Sequence, residues 1–133
     1  MSSASRPKIP MRDVHLAFGV SLDEEYVTLH ATCGSTTHDV TSRVPKYVLL
    51  MVARQRLADA AAGLPDQDCG WVEQDRLATD AGWSDLRFFP AALFKIRFQF
   101  AELPILDPDN IVERHPSKRT VRIGTARLSI EAL

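Results

Sequence analysis

Residues 71–100 read WVEQDRLATDAGWSDLRFFPAALFKIRFQF, and the reading of this stretch decides the fold. The spacing predicts a helix over 72–81, a tight turn holding Gly82 and Ser84, and a second helix over 85–102. Gly82 is free to take the positive φ that a sharp turn requires, and the Ser84 hydroxyl is placed to cap the next helix. Leu77 and Ala81 are four apart on one face, with small Ala78 beside them, so two crossing helices can approach closely. This is the pattern of a helix-turn-helix, which lays its second helix on a partner, most often in a DNA major groove.

At about 100° per residue, Leu86, Phe89, Leu93, Ile96, Phe100 and Leu103 gather on one side of the second helix, a core-facing stripe. Phe94 and Phe98 fall on a different face with Arg87 and Ala91, and Lys95 and Gln99 continue round from it. That face carries few of the donors with which a helix reads bases. Pro90, five residues into the expected helix, costs an internal hydrogen bond unless the helix starts late or kinks.

Working outward, residues 14–42 read as a small antiparallel sheet. Val14, Leu16, Phe18 and Val20 alternate with His15, Ala17 and Gly19, residues 26–32 are rich in β-branched and aromatic types, and residues 36–40 supply a short third strand. Pro45 opens a helix over 45–62, whose stripe is Val48, Leu49, Val52, Ala53, Leu57 and Ala60, while Arg54, Arg56 and Asp59 are expected off it. Gly63 and Pro65 end that helix. Residues 1–13 are small, polar and proline-interrupted and are expected as a flexible arm.

Beyond the second helix, residues 111–114 and 120–123 alternate in period two around the loop 115–119, a hairpin within a segment expected over 111–130. Between Glu113 and Arg127 the local charge is +4, in a chain whose total is −1. Charge segregated in this way suits contact with phosphates.

The 133 residues suit one domain, and 45% hydrophobic with 25% charged residues is the composition of an ordinary globular protein. No apolar run reaches the length of a membrane span, and the N-terminus lacks the apolar centre of a signal peptide. Cys33 and Cys69 have neither metal-ligand nor disulfide-framework spacing and are expected as reduced thiols in a cytoplasmic protein. His15, His30 and His38 lie on strands without a neighbouring second ligand, so no metal is expected, and no cofactor. The chain has no GxSxG elbow, no phosphate-cradling glycine loop and no HExxH, so no catalytic residue, enzyme activity or small-molecule substrate is expected.

Sheet, long helix, helix-turn-helix and basic hairpin, in that order, resemble an α+β winged helix-turn-helix: a small N-terminal antiparallel sheet, three helices and a C-terminal β-hairpin wing. Val44-Pro45-Lys46-Tyr47-Val48-Leu49-Leu50 is similar to the start of the first helix in OmpR/PhoB-type effector domains. Arg119-Thr120-Val121-Arg122-Ile123-Gly124 is similar to that family's wing, with Thr125-Ala126 where Gly-Tyr is expected. The turn at 21–27 and the segment 57–65 resemble still more closely the winged-helix modules of bacterial forkhead-associated-domain proteins.

The resemblance implies a bacterial transcriptional regulator that binds double-stranded DNA. Helix 85–102 would lie in the major groove with Arg87 and Lys95 facing it, and Lys118, Arg119, Thr120 and Arg122 would lie on the phosphate backbone. The alternative from the residues themselves is a protein-interaction or dimerisation surface built on Phe94 and Phe98, because exposed phenylalanines mark interfaces.

Overall fold

The computed structural model describes residues 7–41, 46–80 and 88–133. Alternation in the N-terminal segment becomes strand β1 (His15–Val20), which pairs antiparallel with β2 (Val27–Cys33), and β2 pairs with β3 (Thr36–Asp39). The apolar set Leu16, Phe18, Val27, Leu29 and Ala31 is buried on one face, as period two requires. A fourth strand, β7 (Leu128–Ala132), lies parallel to β1 on its other side, so the sheet order is β3-β2-β1-β7. Residues 128–130, expected in the hairpin segment, belong to the N-terminal sheet.

Helix α1 (Lys46–Ala61) follows, with Val48, Leu49, Val52 and Ala53 buried. Its end carries the hydrogen bonds Gly63 N–H to Ala60 O and Leu64 N–H to Asp59 O, with Gly63 at φ 87°. That left-handed residue turns the chain out of the helix. Arg56, expected outside the stripe, is only 5% exposed: its Nη1 donates to Ile123 O at 2.7 Å and its Nη2 to Asp66 Oδ1 at 2.8 Å.

The expected helix over 72–81 begins later. Val72–Glu73 forms β4, and α2 runs over Gln74–Asp80. Strand β4 exists because β6 (Thr120–Ile123) lies against it, and β6 also pairs with β5 (Val112–Arg114), giving a three-stranded sheet β4-β6-β5. Gly82, Ser84, Arg87 and the turn between α2 and the next helix lie outside the described residues. Helix α3 is Phe88–Phe100, so Pro90 falls in its first turn, where an intrahelical donor is not missed. The helix needs no kink.

Among the described residues this is a mixed α+β chain of three helices and seven strands in two sheets. One hydrophobic cluster runs from the buried face of β1 and β2 through α1 to Phe89, Leu93, Ile96 and Phe100 of α3 and to Val121 and Ile123 of β6. The arm expected over 1–13 is packed from residue 9 onward. Ile9 bridges to Ile105, and Met11 is fully buried with its N–H donating to Asp107 Oδ1 at 2.7 Å. No helix among the described residues is long and apolar enough to cross a membrane.

Candidate interaction surface

Helix α3 divides its aromatic residues between two sides. Phe89 and Phe100 enter the core, while Phe94 and Phe98 stand in solvent at 60% and 59% exposure. Their rings meet edge to face, with centroids 6.1 Å apart. The pair forms a ridge with an open groove on each side. One groove, about 410 Å³, is lined beyond the ridge by Pro90, Leu93, Arg97, Ala101, Asp109 and Arg114. The other, about 440 Å³, is lined by Lys95 and Gln99.

The first groove is held in shape by Arg97. Its Nε donates to Asp109 O and its Nη2 to Val112 O, both at 3.0 Å, tying α3 to the segment that leads into β5. The Arg114 guanidinium lies 6.0 Å from the centre of the buried Phe89 ring. An apolar floor with fixed cations at its rim suits an apolar side chain flanked by an anion.

The hairpin β5–β6 distributes its cations differently from the sequence expectation. Lys118 and Arg119 at the tip are exposed. Arg119 faces Asp75 of α2 at 3.8 Å, and the surface depression at its base has Glu73 and Asp75 opposite Lys118 and Arg119. Two carboxylates facing two cations leave no strong positive field there.

Arg122 is not available to a phosphate. Its side chain is only 12% exposed; Nε meets Glu113 Oε2 at 3.3 Å and Nη1 donates to Asp66 O at 2.7 Å and Cys69 O at 3.2 Å. Thr120 Oγ1 is buried without a hydrogen-bond partner, so it reaches no backbone either. Arg127 lies beyond the hairpin and donates to Asp13 O. The +4 segment is therefore not a single basic face.

Of the DNA-contacting set expected from sequence, Lys95, Lys118 and Arg119 are exposed, Arg122 and Thr120 are withdrawn, and Arg87 lies outside the described residues. Both interface residues, Phe94 and Phe98, are on the surface and adjacent. The groove residues Arg97, Asp109 and Arg114 were not anticipated. Arg97 is three residues from Phe94, a neighbour position on a helix, and that spacing is the signal by which it could be found; Asp109 and Arg114 join it only through the fold. Cys33 and Cys69 are free and buried, and burial pushes the Cys33 thiol pKa up. Among the described residues, no three His, Cys, Asp or Glu side chains gather closely enough to hold a metal ion.

No family model matches the chain, and neither the curated proteins nor the solved structures offer a match to it.

Proposed function

We propose that the chain is a winged-helix interaction module that presents the outer face of α3 to a partner protein. The order α1-β4-α2-α3-β5-β6 and the three-stranded sheet β4-β6-β5 support the winged-helix assignment, with β5–β6 as the wing. The observation that carries the function is the pair Phe94 and Phe98, exposed together on the helix side that faces away from the core. Adjacent exposed aromatic rings are costly in an isolated molecule and supply binding energy when covered. The test is photo-crosslinking in cells from p-benzoylphenylalanine at position 94 or 98. Nuclease-resistant, protease-sensitive adducts are expected, and their absence at both positions overturns the reading.

A second reading is favoured by the exposed tip residues Lys118 and Arg119. In it the wing holds duplex DNA by its phosphates, as in a transcriptional regulator, with Lys95 adding a contact from α3. With Arg122 withdrawn, the two tip contacts and Lys95 give log K a slope of about −3 against log salt, from about 0.9 per phosphate. Anisotropy on random duplex DNA with a Lys118→Glu, Arg119→Glu variant decides it. Salt-dependent binding that the variant loses carries the second reading; absent binding at low salt removes it.

A further inference from the structure

We infer that the occupant of the α3 face is an amphipathic helix of another protein with carboxylates flanking its apolar stripe. The inference rests on the protein-docking reading above and adds the chemistry of the partner. Around the Phe94–Phe98 ridge, the groove-lining residues include three cations, Lys95, Arg97 and Arg114, and one carboxylate, Asp109. Glu102, just past the helix end, already takes part in an interaction of its own.

A ridge of aromatic rings between an apolar-floored groove and a second groove edged by Lys95 and Gln99 fits helix-in-groove recognition, in which side chains at i, i+3, i+4 and i+7 straddle the ridge. The cations lie on both sides of the ridge, so carboxylates on both flanks of the incoming helix would meet them. A second copy of this chain fits less well. In an isologous pair the same patch meets itself, so its excess of three cations over one carboxylate would face an equal positive excess. Single-stranded nucleic acid would answer the charge, but the two rings meet edge to face at 67° and offer no parallel slot for successive bases.

The experiment is a peptide-display selection on the full chain, followed by anisotropy with the enriched peptides. Peptides with helical apolar spacing and an excess of Asp and Glu are expected. Phe94→Ala with Phe98→Ala should weaken them at least tenfold. Lys95→Glu with Arg114→Glu should weaken them about tenfold, and exchanging the peptide carboxylates for lysines should restore binding to that variant. Enriched peptides without acidic excess that still depend on Phe94 and Phe98 overturn the acidic partner and leave the docking surface standing. Enrichment that ignores the two phenylalanines overturns both. A sedimentation dimer lost in Phe94→Asp, Phe98→Asp assigns the face to a second copy, and displacement of the peptides by single-stranded oligonucleotide assigns it to nucleic acid; either result overturns the inference.

Discussion

The guanidinium of Arg122 lies 4.6 Å from the centre of the Trp71 ring. His115 lies edge-on to the same indole at 5.0 Å, and Trp71 Nε1 donates to Gln67 O at 2.9 Å. Trp71 thus joins the loop after α1 to the β5–β6 hairpin, with Arg122 as the hub. A cation committed to a ring face, a carboxylate and two carbonyls has a structural role at the base of the β5–β6 hairpin.

Arg122→Ala should therefore destabilise the fold by about 2–3 kcal/mol, since it strands Glu113 and two carbonyls and removes the stacking. Lys118→Ala and Arg119→Ala, at exposed positions, should each stay within about 0.5 kcal/mol of the parent. Urea unfolding of the three variants measures this. Equal and small effects would mean that Arg122 is solvated and free to bind phosphate.

Arg56, which also bonds to Asp66, makes a related prediction. Its Nη1 and Nη2 are bonded, but Nε is buried without a partner. Arg56→Ala leaves a cavity and an unpaired Ile123 carbonyl and should cost about 3 kcal/mol, whereas Arg56→Met fills the space and should cost less than half of that. Denaturant midpoints at equal m-value make the comparison.

These two arginines also mark where the sequence stops being legible. Periodicity within one element is local information, so the strands β1 and β2, the span of α1 and the division of α3 into Phe89–Phe100 and Phe94–Phe98 sides could be read directly. Arg56, expected off the stripe, is four residues from Val52, and its burial rests on the Ile123 carbonyl and the Asp66 carboxylate, which come from other segments of the chain. Strand β7 pairs Leu128 with Leu16, more than a hundred residues away, and no local pattern announces a parallel partner at that separation. Strand β4 has two residues and is a strand only because β6 adjoins it. The hairpin cations are legible along the chain, but their usefulness depends on which face each occupies.

The two sides of α3 should separate stability from binding. Phe100→Ala, at a fully buried position, should cost about 3–5 kcal/mol. Phe94→Ala and Phe98→Ala should change stability by less than about 1 kcal/mol, because each residue is more than half exposed in the native state. Thermal or urea unfolding tests the contrast. A large loss on Phe98→Ala would mean that the ridge belongs to the core and has no surface to offer.

Acid stability should report the joint between the N-terminal segment and the loop before β5. Asp107 is held below the usual carboxylate range chiefly by the Met11 N–H, with Asn110 and the Arg12 charge adding to it. A carboxylate whose folded pKa is depressed contributes its stability fully above the unfolded value, about 3.9, and loses it as pH falls through the folded one. Asp107→Asn should therefore be less stable by about 1 kcal/mol at neutral pH, the worth of one charge-assisted bond at a partly exposed site. The gap between variant and parent should close only as pH drops below about 4. Urea unfolding at pH 7 and pH 3 measures both ends. A gap that persists unchanged at pH 3 would mean that the substitution acts through packing around Met11 and not through the carboxylate charge.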